Sequence, residues 1–345
     1  MGLNFKELIV KQEISLKDLQ GRILAVDSMN LLYQFLTTIR SPDGSVLTDA
    51  QGRVTSHLIG LFSRTTALME QNIKLALVFD GKAPEIKRKT WEKRTAVKQE
   101  ASLQLKQAQE AGDQGEMRKF ASRTAVLTKD MISDAQQLLR ALGLPIIQAP
   151  SEGEAQAAHI VKQGKAYACV SQDYDTLIFG APLVVRNLSV EGKRKKAGKL
   201  AYETIKPECI YLKDILTHLN LTQDQLILLA ILVGTDYNPG GVKGIGPKTG
   251  LKLVKEYAHD VDALFQKVEW EKHSPDVAWR EIYDTIKQMP VTDDYTLEWK
   301  PLDEQKLIQL LVQEHGFSME RVNAKIEKLR EAAKQQQQKG LQSFF

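Results

Sequence analysis

Two short apolar runs, each closing on a carboxylate, set the frame for this chain: Arg22-Ile23-Leu24-Ala25-Val26-Asp27 and Leu75-Ala76-Leu77-Val78-Phe79-Asp80. Runs of this length without polar alternation read as buried strands. A third candidate strand, Ala166 to Ser171, leads into Gln172-Asp173-Tyr174-Asp175. Helical periodicity occupies the intervals 54–71, 130–142 and 152–163, and strands alternating with helices imply an α/β fold, with a mostly parallel sheet flanked by helices. Ligands of an open parallel sheet gather beyond the carboxyl ends of its strands, where Asp27, Asp80, Asp173 and Asp175 fall.

Away from those strands the pattern changes. The 130–142 helix carries Met131, Ile132, Ala135, Leu138, Leu139 and Leu142 on one face and stops at Gly143, with Pro145 beyond. The stretch 85–125 is rich in Lys, Arg, Ala and Gln, has a sparse apolar stripe and is broken at Gly112-Asp113-Gln114-Gly115. Such helices project into solvent or meet a ligand rather than fill a core. Residues 222–257 read as helix, glycine-rich hairpin, helix, with Thr222 and Gln225 spaced as a capping box and Pro247 suited to a first helical turn. Amphipathic helices continue to about 333, and Gln335-Gln336-Gln337-Gln338-Lys339-Gly340 reads as a polar linker.

Composition excludes several classes. At 345 residues, 43% hydrophobic and 26% charged, the chain is an ordinary globular one. No apolar run approaches the roughly 20 residues of a membrane span. The N-terminus lacks a secretory h-region, and Lys6 stands where a myristoylation signal following Met1-Gly2 needs Ser or Thr. Two cysteines, Cys169 and Cys209, suit a reducing interior and make no zinc cluster. The net charge of +4 is compatible with a polyanionic partner without defining one.

Glu152 and Glu154 open the 152–163 helix and Asp236 follows the apolar helix 224–233, so seven carboxylates are candidates for one edge of the sheet. Brought together they repel, and a shared site requires cations or raised pKa values. Oxygen donors without His or Cys point to Mg²⁺ or Mn²⁺, and a pair of such ions suits phosphodiester hydrolysis without a covalent nucleophile. Taken alone, each residue also fits a cap or a solvated turn; Ser151-Glu152-Gly153-Glu154 itself matches a capping box.

The blocks Ala25-Val26-Asp27-Ser28-Met29, Val78-Phe79-Asp80-Gly81-Lys82, Ala149-Pro150-Ser151-Glu152-Gly153-Glu154-Ala155-Gln156, Ser171-Gln172-Asp173-Tyr174-Asp175 and Gly234-Thr235-Asp236-Tyr237 together resemble the flap endonuclease branch of the XPG nuclease family, in its archaeal form, over nearly the whole chain. That resemblance implies a PIN-like 5′ nuclease fold with a helical arch at about 82–129. It implies metal binding by Asp27, Asp80, Glu152, Glu154, Asp173, Asp175 and Asp236. Lys87 and Arg94 match the basic residues that the family brings from the arch to the scissile phosphate, and their spacing of seven sets them two turns apart on one helix face. Tyr33 is similar to a family tyrosine that stacks on a base near the cut, although Leu32, Tyr33, Leu36 and Ile39 fit a core stripe equally well. Gly2 would lie near the site and, with Arg40, contact DNA.

Gly241 to Gly250, with Gly244, Gly246, Lys248 and Thr249, reads as a helix-hairpin-helix turn that grips duplex backbone without reading sequence. Pro247 interrupts the Gly-Lys-Thr of a nucleotide-binding loop. In the family this element also holds a monovalent cation, K⁺. Lys193-Arg194-Lys195-Lys196 with Lys199 forms a second basic patch between strand-like 183–186 and 199–202, suited to phosphate or to plain solvation as a hairpin loop. Gln338, Leu341, Phe344 and Phe345 match the sliding-clamp motif, so the clamp PCNA is an expected partner alongside branched DNA with a 5′ flap.

The expected organisation is a single nuclease domain, 1–333, and a flexible tail, 334–345. Within the domain lie an N-terminal block 1–98, the arch, an internal block of about 116–258, the helix-hairpin-helix at 222–257 and a helical part 258–333. The expected protein is an intracellular monomer, of the archaeal cytoplasm or nucleoid or of the nucleus if eukaryotic, that cuts flaps in replication and repair, with 5′ to 3′ exonuclease activity. A related exonuclease or gap-cutting enzyme is the alternative within the family. A non-catalytic clamp-associated DNA-binding adaptor is the alternative outside it.

Overall fold

The computed structural model describes residues 3–41, 44–113, 115–117, 120, 124–189, 192–195 and 202–342. Its elements are β1 (Gln12–Glu13), β2 (Ile23–Asp27), α1 (Ser28–Thr38), α2 (Ser56–Glu70), β3 (Lys74–Phe79), α3 (Arg88–Glu110), α4 (Lys129–Ala141), β4 (Ile146–Gln148), α5 (Gly153–Lys162), β5 (Ala168–Val170), α6 (Asp175–Ile178) and β6 (Leu183–Arg186). There follow β7 (Gly192–Lys195), β8 (Tyr202–Ile205), β9 (Glu208–Tyr211), α7 (Leu212–Leu219), α8 (Gln223–Val233), α9 (Pro247–Glu256), α10 (Val261–Lys267), α11 (Trp270–His273), α12 (Trp279–Lys287), α13 (Glu304–Ile308), a π-helical turn (Gln309–Glu314) and α14 (Met319–Gln342).

The main sheet has the order β1-β9-β6-β5-β2-β3-β4. The five strands β6, β5, β2, β3 and β4 run parallel, and β9 and β1 add antiparallel beyond β6. The apolar runs behave as expected for strands covered twice. Along β2, Ala25 joins one core while Leu24 and Val26 join the other; along β3, Ala76 and Val78 oppose Leu75, Leu77 and Phe79. Successive side chains alternate between faces, so each strand feeds both cores. Asp27 continues the Ala25 row and Asp80 the Val78 row. Both therefore address the face on which α5 packs across β2, β3 and β5.

Two backbone approaches hold that face together. Gly81 N–H donates to the Ser151 carbonyl at 2.6 Å, and a Cβ on Gly81 would sit 2.1 Å from the Ala149 oxygen, so only glycine lets the Asp80 strand end meet the Ser151–Glu154 turn. Gly143 ends the α4 region at φ +75°, with Lys300 N–H donating to its carbonyl at 2.8 Å, which ties the last third of the chain to the sheet.

Three sequence expectations change. Lys193, Arg194 and Lys195 lie in strand β7, which pairs antiparallel with β8 as a separate two-stranded sheet, rather than in a loop; of the strand-like 199–202 only Tyr202 lies within the described residues, where it opens β8. Strand 183–186 pairs instead with β9. Lys196 and Lys199 lie outside the described residues. The polar linker is helical, because Lys, Gln and Ala are good helix formers and no Pro intervenes, so α14 runs on through Gln342. Phe344 and Phe345 lie outside the described residues. Lys87 ends a 3₁₀ turn, Glu85–Lys87, that runs directly into α3, so it stands just before that helix rather than within it. No single described helix is long and apolar enough to cross a membrane.

Candidate metal centre

Asp27 closes β2 and caps α1, its Oδ1 accepting the Asn30 backbone N–H at 3.0 Å, while Oδ2 faces the Ser171 hydroxyl at 3.3 Å. Asp80 Oδ1 accepts the Gly153 N–H at 2.7 Å, in the first turn of α5. For these two residues the capping role and the site role coexist, because one oxygen fixes a helix end and the other stays available. At Glu152 and Glu154 the capping box is not formed. Glu152 is the N-cap but makes no capping bond, the Ser151 hydroxyl donates to the Lys82 carbonyl (3.0 Å), and Glu154 Oε1 turns to Ser171 (3.4 Å).

The remaining three come from further along the chain. Asn30 Nδ2 donates to Asp173 Oδ2 at 2.7 Å, and the Asp173 N–H donates to Ser171 Oγ at 3.2 Å. Asp175 opens α6, and its Oδ1 accepts the Leu3 N–H at 3.1 Å. Asp236 lies in a turn after α8 that Asn238 fastens: its Oδ1 accepts from the Thr235 N–H (3.1 Å) and hydroxyl (2.6 Å), and its amide donates to the Ile231 carbonyl (2.7 Å). Carboxylate oxygens of Glu154, Asp173 and Asp175 all lie within 4.8 Å of one another.

Burial pushes the Asp27 carboxyl up to about 7, helped by the charges of Asp80 and Asp173, and pushes Asp175 up to about 7, helped by Asp236 and Asp173. Burial also raises Asp80, Glu152 and, furthest, Glu154, the last with the charges of Asp175 and Asp27 beside it. Among the described residues, the cation seated with them is Lys87. Its Nζ lies 2.7 Å from Glu152 Oε2 and 3.3 Å from Asp236 Oδ2; burial opposes its charge, but the two carboxylates outweigh that and hold it protonated. Glu152 Oε1 is buried with no hydrogen-bond partner. Carboxylates held close at this cost, one with an orphaned oxygen and all without His or Cys, fit hard divalent cations, whose charge would offset the repulsion.

Sequence reasoning missed the groups that aim these carboxylates: Asn30, Ser171, Thr90 and the Leu3 backbone. Ser171 and Asn30 stood two and three residues from named aspartates, but nothing in the sequence joins Asn30 to Asp173. The Thr90 hydroxyl in α3 donates to the Asp236 carbonyl and pins that helix beside the centre. Arg94 falls in α3, and its side chain lies outside what the structure describes, as does Gly2. Tyr33 is 37% exposed, so the core-stripe reading fails for it; its hydroxyl accepts from Lys98 at 2.6 Å. Arg40 pairs by a backbone bridge with Val46, and its Nη1 donates to the Gly44 carbonyl (2.9 Å). Its Nε and Nη2 are buried without a partner beside a cavity of about 340 Å³.

In the helix-hairpin-helix, the Thr222–Gln225 capping box forms and Pro247 takes the first turn of α9. Gly244 (φ +87°) and Gly246 have open space where a Cβ would be, Lys248 and Thr249 are exposed, and Lys248 pairs with Glu7 at 3.4 Å. The exposed N-terminus of α9 therefore offers free backbone N–H groups.

The raised carboxyls fix the sign of a pH effect. Because Asp27 and Asp175 hold protons more tightly folded than unfolded, the cation-free protein loses stability as pH rises from about 4 to about 7. Asp175→Asn keeps an oxygen for the Leu3 N–H and removes a charge, so in chelator at pH 7.5 it should melt above wild type and gain less from added Mg²⁺. Thermal denaturation checks this, and a lower melting point for the variant in chelator would count against the repulsive cluster.

The XPG N-terminal domain matches residues 3–101, holding Asp27, Asp80, Lys87 and Arg94, and the XPG I-region matches 143–236, holding the other five carboxylates. A flap endonuclease 1 of Pyrococcus horikoshii is 50% identical over 100% of this chain and 98% of its own length, and one of Staphylothermus marinus 48% over 100% of both. Among solved structures, flap endonuclease-1 from Methanococcus jannaschii superposes with a TM-score of 0.75 at 40% identity, over 97% of this chain and 100% of that one. The catalytic core of Rad2 in complex with DNA substrate shares the fold at 23% identity and a TM-score of 0.68, over 95% and 100%. The matched regions hold every carboxylate of the centre, and the chain belongs to the XPG nuclease family, in its flap endonuclease branch.

Proposed function

We propose that this metal-dependent flap endonuclease hydrolyses the phosphodiester at the junction of a 5′ single strand with duplex, leaving a ligatable nick, and that it also acts as a 5′ to 3′ exonuclease. The observation that carries the reading is the convergence of Asp27, Asp80, Glu152, Glu154, Asp173, Asp175 and Asp236 beyond one sheet edge, with Lys87 seated among them. These carboxylates would hold two divalent cations, Mg²⁺ in the cell with Mn²⁺ able to replace it, which supply an activated water and charge neutralisation at the leaving oxygen.

The chain's own groups supply the rest. Lys87, half-buried and held protonated, presents a fixed positive charge where a phosphate would gain charge in the transition state. Arg94 does the same two turns along the arch, and the exposed Tyr33 ring stacks on the base beside the cut. The arch at about 82–129 admits a free 5′ end and rejects continuous strands. The turn Gly244, Gly246, Lys248 and Thr249 holds duplex phosphates and K⁺, while Lys193, Arg194, Lys195 and Lys196, with Arg40 and Gly2, extend the contact to DNA. Residues 1–333 act as the nuclease, and the segment from 334 onward, which begins within α14, reaches the clamp.

A time course with end-labelled flap DNA tests the reading. Flap release is expected with Mg²⁺ and none with Ca²⁺ or chelator, and Lys87→Met should slow release at saturating DNA by about 100-fold or more. Release in chelator, or a wild-type rate for Lys87→Met, would overturn it.

We also propose that Gln338, Leu341, Phe344 and Phe345 anchor the chain to the sliding clamp PCNA. Deleting 338–345 should abolish clamp binding, measured by titration calorimetry, and leave cleavage of naked flaps intact; unchanged clamp binding would refute the assignment.

A further inference from the structure

The arch helix α3 touches the body at residues spaced by one pattern. Thr90 is 2% exposed and donates its hydroxyl to the Asp236 carbonyl, and Lys98 donates to the Tyr33 hydroxyl on α1 at 2.6 Å. Positions 90, 94 and 98 stand at i, i+4 and i+8, one stripe of the helix about 12 Å long. Both ends of that stripe are tied to the elements that carry the metal centre, and Arg94 occupies its middle. Tyr33 belongs to the helix that Asp27 caps, so the Lys98 contact links the arch to a helix fixed by a metal-site carboxylate.

The contact also leaves Tyr33 usable. Lys98 Nζ is 2.6 Å from the hydroxyl yet 5.1 Å from the ring centroid, which places the ammonium beyond the ring's hydroxyl edge rather than over a face. With 37% of the residue exposed, a base can stack while the hydrogen bond persists.

We propose that Lys98 is a positioning residue: its hydrogen bond to Tyr33 docks the arch onto α1 and so holds the Tyr33 ring and the Arg94 stripe in register over the metal centre. The inference rests on the proposed stacking role of Tyr33. Its consequence is that Lys98 and Tyr33 act as one unit, on the cleavage step more than on affinity.

The test is a double-mutant cycle on a 5′ flap with Mg²⁺, read as single-turnover rate at saturating DNA, KM and the salt dependence of binding. Tyr33→Phe keeps the ring and loses the hydroxyl; Lys98→Met keeps the chain and loses the ammonium. Each should slow cleavage about threefold to tenfold, the range one hydrogen bond commands, with KM changed less. The double variant should be no slower than the worse single, and Lys98→Arg should recover most of the rate. Multiplied effects in the double variant, with a salt slope for Lys98→Met shallower by about 0.9, would mean that Lys98 is an independent phosphate contact and overturn the proposal. Tyr33→Ala separates the two layers. Cleavage at the wild-type rate would overturn the stacking role and this inference with it, whereas a slow Tyr33→Ala beside a multiplicative cycle overturns the inference alone.

Discussion

Mutual repulsion among carboxylates taken out of water governs this molecule. Parallel strands deliver Asp27 and Asp80 to one face, and the turns and helix starts after β4 and β5 bring Glu152, Glu154, Asp173 and Asp175 to the same edge. Burial raises most of them, and the surrounding structure answers with donors: Asn30, Ser171, Gly153, Leu3 and the ammonium of Lys87. A fold that accepts such a cost at one point concentrates its function there. The same donors draw distant parts of the chain together, since Leu3 reaches Asp175 and Lys87 reaches both Glu152 and Asp236.

Asp27 and Asp80 show how scaffold and chemistry share atoms. Each fixes a helix with one oxygen and leaves the other facing the centre, so the first turns of α1 and α5 are aimed by the residues they help to present. The close backbone approach at Gly81 belongs to the same design, because it lets the end of β3 lie against the turn that opens α5. Thr90 then carries the alignment into α3 through the Asp236 carbonyl.

How far the sequence could be read follows from these interactions. The apolar runs at 22–27 and 75–80 announced buried strands because their burial on both faces removes polar alternation, and the strand-end carboxylates followed from them. Helix α4 and the Thr222–Gln225 cap were legible because their signals are local. Contacts across long separations were not: Asn30 with Asp173, Leu3 with Asp175 and Lys98 with Tyr33 leave no local pattern. Tyr33 fitted a core stripe by period, yet the ring is exposed, since period says which residues share a face and not what covers it. Lys193 to Lys195 misled by charge, which is indifferent to whether a basic run lies in a loop or along a strand such as β7. The Gln-rich stretch misled by low complexity, although its residues favour helix.

The claim on which all of this turns is that the acidic cluster holds a pair of divalent cations. Electron paramagnetic resonance of Mn²⁺ titrated into the protein measures it directly. The account predicts two ions per chain in magnetic contact, with Asp173→Asn losing at least one of them. Binding of fewer than two ions by the wild-type protein, or two ions without mutual coupling, would contradict it.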